Sequence, residues 1–357
     1  MPQLGRNPNS ENGEATMSKM NCLQMLERIF LMSVVGAFLF LGPMTQASAQ
    51  ALQCGANITT NTTLIADLGP CPGNGLGIDG ATAHVTLNLN GHKISGSGAG
   101  AGVSVGAVGS GLTIKGPGKI KNFGVGILMG GVGDVLVYDL TIKGNQQGIG
   151  IVGQEGTARV LNNVIEGGEQ AQIGVYFDQD SSAYVYKNTI TRFVTAVEIP
   201  FESSAVVDEN LITLNQTGIY LPISLLGSPD YCIRGNVVTL NQGTGIQIGS
   251  TAGSSSDALP DALPVPSPCG TVEDNTVTFN GASGIAVTNE VSTRVLDNVV
   301  SFNKINGISI TDSSSSRVAG NRVQNNGTDL FWDGTGAPCW QQNIFNTSSP
   351  VTLPPCD

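Results

Sequence analysis

The chain of 357 residues is poor in charge, with 12% Asp, Glu, Lys and Arg, and poor in aromatics, with 11 Phe, 6 Tyr and 2 Trp. It holds only two histidines, and no apolar run reaches the length of a membrane span. Each shortage excludes a class. A disordered chain would combine low hydrophobicity with high charge, whereas here 40% of residues are hydrophobic, so a packed interior is implied. A coiled coil would need far more charge. Two histidines and no C-x-x-C pair leave a zinc site without ligands. The charge balance is −11, and no run of basic residues occurs, so nucleic acid and anionic membranes are poor partners on this count. What is abundant is glycine, 48 residues, which points to many tight turns around small aliphatic cores and calls for a search for repeats.

The uncharged stretch from Ile29 to Leu41 follows Lys19 and Arg28 and precedes Ala47-Ser48-Ala49. A spanning helix takes about 20 apolar residues. This shorter pattern reads as a signal peptide cleaved after Ala49, with the true start near Met17 or Met20 and a secreted or periplasmic destination. Export permits disulfides, and the six remaining cysteines, Cys54, Cys71, Cys232, Cys269, Cys339 and Cys356, allow 15 pairings.

One template recurs along the rest of the chain, in Val207 to Leu221, Ile233 to Ile248, Val272 to Val287 and Val295 to Ile310. It reads V/I-x-x-N-x-V/I-x-L/F-N, two or three residues, then G-I-x-apolar. Its first asparagine falls at Asn163, Asn188, Asn210, Asn236, Asn275, Asn298 and Asn321, with Asp139 assigned to the same slot one repeat earlier. A second asparagine follows five residues later at Asn215, Asn241, Asn280, Asn303 and Asn326. Apolar and polar residues alternate within each repeat, so each gives short strands. Glycine and asparagine are expected between them, where left-handed backbone is cheapest. One such coil cannot bury its inner face alone and must stack in parallel on its neighbours. The fold predicted is all-β, a single-stranded parallel β-helix of about ten coils of ~23 residues with three short strands each. Stacking would place successive asparagines above one another, within reach of amide hydrogen bonds.

On the asparagine column, the G-I-x-I strand and the segment Thr86-Leu87-Asn88-Leu89-Asn90-Gly91-His92, the chain resembles the right-handed parallel β-helix proteins of the pectin lyase-like superfamily, of the secreted bacterial type. The resemblance covers roughly Leu76 to Trp332. It divides the mature chain into an N-terminal cap at 50–75, the β-helix at 76–332 and a C-terminal cap at 333–357. Within such a solenoid Cys71 and Cys232 lie about seven coils apart, far beyond disulfide reach. Only sequential pairing fits: Cys54 with Cys71, Cys232 with Cys269, and Cys339 with Cys356, the terminal bridges stapling the two ends. One oversized step of the repeat contains the Ser- and Pro-rich stretch 250–268, read as a loop ejected from the stack and clamped by Cys232 and Cys269.

Candidate chemistry gathers in two places. Acids follow the G-I-x-apolar strand at Glu155, Asp178, Asp180, Glu202, Glu290 and Asp312, and a stacked row of them would favour Ca²⁺ or a hydroxyl-rich partner. The densest neighbourhood runs from Tyr176 to Glu209 and includes Tyr184, Tyr186, Lys187, Arg192 and Glu198. Relatives that act on acidic polysaccharides use a basic residue or tyrosine with charge neutralisation, and glycoside hydrolases use two carboxyl groups. The tight Asp, His and Arg motifs of the superfamily's hydrolases and epimerases are missing. The reading is therefore an exported protein that binds carbohydrate or a surface partner along one face, with Tyr176, Tyr184, Tyr186, Glu155, Glu290 and Asp312 as binding residues and no evident cofactor. Its alternative is a polysaccharide lyase, hydrolase or epimerase, with Asp178, Asp180, Lys187, Arg192 and Glu202 as catalytic candidates.

Overall fold

A computed structural model describes residues 52–80, 84–106, 111–130, 133–152, 157–178, 181–200, 203–222, 230–249, 270–288, 293–312 and 316–356. Every regular element among them is a short strand, and none is a helix long and apolar enough to cross a membrane. The strands form three parallel sheets of 13, 12 and 12 strands, in which each sheet takes every third strand of the chain. This is a parallel β-solenoid. The first sheet begins with Ala56–Asn57, the second with Thr62–Thr63 and the third with Leu68–Cys71. Between residues 76 and 332 the chain completes the expected ten coils, and the segments before and after each add further rungs to the same ladders.

The interior is a set of aliphatic columns. In the third sheet Ile120, Ile142, Ile165, Ile190, Ile212 and Val238 stack one per coil, all fully buried. The glycine of the template answers to this packing and not to backbone handedness. A Cβ on Gly174 would lie 2.4 Å from the Ala196 carbonyl oxygen and 2.6 Å from Cγ2 of Ile190.

Two columns of buried asparagine amides run through the stack. In the first, Asn163 donates its backbone N–H and its Nδ2 to Oδ1 of Asn188, at 2.9 and 3.0 Å. Its Nδ2 also reaches back to the Val137 carbonyl, 3.1 Å away in the preceding coil. Each amide therefore ties three coils together. The pattern repeats through Asn188, Asn210, Asn236, Asn275, Asn298 and Asn321 to Asn343, a member the repeat template did not reveal. Asn236 bonds Asn275 at 3.0 Å across 39 residues, so the extra chain leaves the ladder intact; the loop 250–268 lies outside the described residues. The second column links Asn215, Asn241, Asn280, Asn303 and Asn326. It ends on Asp329, which stands where the previous coil has Gly307. Burial opposes ionisation of Asp329, but the N–H groups of Asn326, Asn346 and Thr347 outweigh it and hold the carboxyl below its usual range.

Two expectations are corrected here. Asp139 is not in the first column: Leu140 occupies that slot and donates its N–H to Asn163 at 3.0 Å, while Asp139 is exposed in the turn. The ladder asparagines are also not the left-handed residues. Positive φ falls on the residue just before each one, as at Asn162, Lys187, Glu209, Asp274 and Asp297, because the turn must aim the following amide inward.

The disulfides Cys54–Cys71 and Cys339–Cys356 form as expected at the two ends. Cys232 is also disulfide-bonded, and Cys269 lies outside the described residues.

Substituting Asn275→Ala orphans the N–H and Nδ2 of Asn236 and removes the bonds to Asn298. Urea denaturation is expected to show a loss of about 3 kcal/mol, whereas Asp139→Asn, which suits the left-handed turn, leaves stability within about 0.5 kcal/mol of wild type.

Candidate functional site

Each coil turns three corners, so residues close in sequence face different ways. The neighbourhood from Tyr176 to Glu209 is divided in this manner. Tyr176 and Glu198 stand on the first sheet, in Ile173–Phe177 and Thr195–Glu198. Tyr184 and Tyr186 stand on the second, in Ser182–Tyr186, with Lys187 in the turn that follows. Arg192 follows Thr189–Thr191 of the third. The catalytic candidates Lys187 and Arg192 therefore do not converge with Asp178, and Asp180 and Glu202 lie outside the described residues.

Lys187 and Arg192 are both engaged in ion pairs. Arg192 Nη1 lies 2.6 Å from Glu166 Oε1, and Lys143 Nζ takes the other oxygen at 2.7 Å. The hydrogen bond from Lys143 and the surrounding cations hold Glu166 below the usual carboxylate range. Lys187 Nζ sits 3.3 Å from Glu209 and 4.6 Å above the Tyr186 ring; contacts with the Tyr186 hydroxyl and Glu209 raise its pKa. Tyr184 and Tyr186 stack on each other, centroids 5.3 Å apart. Tyr186 is thus covered on one face by Tyr184 and capped by a cation, which leaves little of it for a ligand. The Tyr184 hydroxyl donates to Asp208 at 3.3 Å, and the same carboxylate oxygen takes Nε and Nη2 of Arg234, both at 3.1 Å. The second sheet thus carries an internally satisfied polar cluster.

The first sheet differs. Register places Tyr176 beside Glu198 and Glu198 beside Tyr220, with Gln247 next in line, one residue per coil about 4.8 Å apart. All four occupy the outward x position of the G-I-x-apolar strand. Along this column from Leu128 to Ser309, Glu198 is the only charged side chain. It is half-buried between the two tyrosines and has no hydrogen bond or ion pair among the described residues. Burial raises its pKa above the ordinary glutamate value of 4.5. Burial also raises the phenols of Tyr176 and Tyr220, with Glu198 adding to both and Asp178 to Tyr176. The arrangement is a carboxylate acceptor between two hydroxyl-tipped rings, on a sheet whose described strands carry no cation. Template position and outward alternation signal Tyr220 and Glu198 together with Tyr176, once the x column is read down the stack instead of along the chain.

Of the expected acidic row only Asp178 and Asp312 are described; Glu155, Asp180, Glu202 and Glu290 lie outside the described residues. Asp312 donates its backbone N–H to Asp333 Oδ2 and Thr335 Oγ1, at 3.2 and 2.8 Å. Burial opposes ionisation of Asp333, but hydrogen bonds from Thr335 and the Asp312 N–H prevail and hold it low. No group of three or more His, Cys, Asp or Glu able to hold a metal occurs among the described residues.

The model of the right-handed β-helix region matches residues 125–259 and 155–328, together more than half of the chain. The chain belongs to the right-handed β-helix family. Comparison with curated proteins gives no match. Among solved structures, the β-helix is similar to the Dettilon tailspike protein gp208, at 14% identity and a TM-score of 0.48 over 81% of this chain and 60% of that one. It is similar to the A-module of the Azotobacter vinelandii mannuronan C-5 epimerase AlgE4, at 13% identity and 0.47, over 83% and 88%. A tailspike mutant of E. coli bacteriophage HK620, in complex with a pentasaccharide, follows at 12% and 0.44, over 82% and 60%. The chain thus spans about 60% of the length of either tailspike.

A carboxyl with a raised pKa on this β-helix carries a stability signature. Its folded pKa exceeds the unfolded one, so the folded state binds more protons between the two, and stability falls as pH rises through that window. Glu198→Gln is therefore expected to raise the melting temperature at pH 7, and the gain should vanish below pH 4.5, the ordinary value. Thermal melts of both proteins across pH check this.

Proposed function

We propose that this protein is exported and binds a hydroxyl-rich glycan along the first sheet, with Tyr176, Glu198, Tyr220 and Gln247 as the contact column. The observation that carries the reading is the half-buried Glu198, held without a partner between two outward tyrosines. An unpaired carboxylate at that depth costs stability. A ligand hydroxyl is the group that would repay it, since Glu198 accepts hydrogen bonds and the flanking phenols both donate and accept. Rungs at about 4.8 Å offer an extended polymer repeated contacts along one line. Among the described residues the strands of this face hold no lysine or arginine, so neutral or amino-bearing sugars suit it and polyuronates do not.

A second reading rests on one further observation. Asp178 and Glu198 both act on the Tyr176 phenol, so two carboxyl groups lie on this face, and one of them is raised. Glycoside hydrolysis uses such a pair, with the raised member as the acid.

Retention of the purified protein on neutral, amino-bearing and uronate polysaccharides separates the readings when new reducing ends and unsaturated products are scored in parallel. Binding to a neutral or amino-bearing polymer is expected to weaken by about tenfold or more in Tyr176→Ala/Tyr220→Ala. It should also weaken in Glu198→Gln, and in wild type as pH falls through the raised Glu198 pKa. Retention on no polymer, or retention indifferent to all three positions, contradicts the proposal. Turnover abolished by Glu198→Gln decides for the hydrolase.

A further inference from the structure

The third sheet carries a surface that the glycan column does not explain. Two series of turn residues share the same left-handed backbone. In the turn from the second to the third sheet the position is filled by polar residues, Asn162, Lys187, Glu209, Asp274 and Asp297. In the turn that leaves the third sheet, the same conformation is held in four consecutive coils by Leu214, Leu240, Phe279 and Phe302. Bulky apolar side chains gain nothing from left-handed backbone. Nor are these buried: they are 53, 52, 53 and 49% exposed. Beside them Leu211, Val237 and Val299 point outward from the strand starts of the same coils. Among the described residues, every exposed large hydrophobic other than Ile65 and Val351 lies on the third sheet or in the turn leaving it.

The two ends of this apolar strip are basic, in a chain of net charge −11. Register sets Lys93 beside Lys119 and Lys121 beside Lys143, where like charges about 4.8 Å apart repel. Asp67 pairs with Lys93 at 3.0 Å, and Glu166 pairs with Lys143 and Arg192. Lys119 and Lys121 have no ion pair among the described residues. Beyond the strip, Lys304 and Arg322 are exposed and likewise without ion pairs among the described residues. Asp139, in the adjoining turn, and Glu169, in the turn that leaves the third sheet, are further acids near the lysine end, and Glu209, Asp274 and Asp297 border the strip in the turn that enters the sheet.

We propose that the outer face of the third sheet lies on an anionic phospholipid surface. Leu214, Leu240, Phe279 and Phe302 enter the interfacial region, and the lysines at one end, with Lys304 and Arg322 at the other, sit among the headgroups. Each alternative occupant leaves part of the pattern unexplained. A soluble polyanion would account for the lysines but not for the apolar strip. A second copy, parallel or antiparallel on this face, would bring basic end against basic end. A nucleic acid would want exposed ring faces, whereas Phe279 and Phe302 stack on each other, 4.9 Å apart and within 5° of parallel, each giving a face to the other. The net charge, an average over all faces, had counted against anionic membranes; other cations stand on the second sheet, but Lys119, Lys121, Lys304 and Arg322 give the two ends of this strip a local positive charge.

Co-sedimentation of the purified chain with phosphatidylcholine vesicles and with phosphatidylcholine–phosphatidylglycerol vesicles tests this. Binding is expected only to the anionic vesicles, weakened by about tenfold or more in Lys119→Glu/Lys121→Glu. Phe279→Asn/Phe302→Asn, which suits the left-handed turns and keeps the fold, is expected to abolish the part of the binding that survives raised salt. Arg317→Glu, on the second sheet, should bind as wild type, with unchanged melting confirming its fold. The proposal is overturned by no binding to anionic vesicles, by equal loss in Arg317→Glu, or by binding insensitive to the Phe279 and Phe302 changes. The last result would mark a simple polyanion patch.

Discussion

The buried side-chain amide dictates most of this structure. An asparagine enclosed among aliphatic columns must satisfy its donors and acceptor internally, and in a parallel stack the nearest partner is the same residue one coil away. Once Asn188 receives both the N–H and Nδ2 of Asn163 and passes its own to Asn210, the register of three coils is fixed together. A slip by one residue in any coil would orphan donors in two others. That constraint explains why the coil length can jump from 22 to 39 residues between ladder members without disturbing the sheets on either side. Extra chain is tolerated wherever it leaves from a corner. It also explains the strained residue before each amide, since the corner has to present the side chain inward.

The second consequence is separation of surfaces. Three corners per coil deal neighbouring residues onto three faces, so that Tyr176, Lys187 and Arg192, close in sequence, never meet. Stacking then assembles columns from residues more than twenty apart. The first sheet acquires an unpaired glutamate between tyrosines, the second a satisfied tyrosine, arginine and aspartate cluster, and the third an apolar strip with basic ends. Composition averaged along the chain hides all three.

What was legible in the sequence follows from the same geometry. The asparagine spacing, the period-two alternation and the sequential cysteines carry the fold, because each reports a constraint that repeats once per coil. The slot assigned to Asp139 was off by one, since an acidic turn residue mimics a ladder asparagine in spelling though not in burial; Leu140 ends the column there. Many glycines do hold left-handed backbone, as at Gly91 and Gly235, but the template glycine does not: Gly174 is set by close packing against Ile190. The site was harder to see. Lys187 and Arg192 looked available because their partners, Glu209 and Glu166, lie a coil away. Glu198 and Tyr220 share one template position but are 22 residues apart, and only alignment of the coils brings them together.

The central claim is that the amide ladders hold the coils in register. Native-state hydrogen exchange, read at the backbone N–H groups of Asn188, Asn210, Asn236, Asn275 and Asn298, tests it most directly. The account predicts that these amides exchange only through global unfolding, with protection equal to that of the slowest strand amides and a common loss of protection in Asn275→Ala. Exchange at those positions as fast as in the surface turns, with the strand amides still protected, would contradict it.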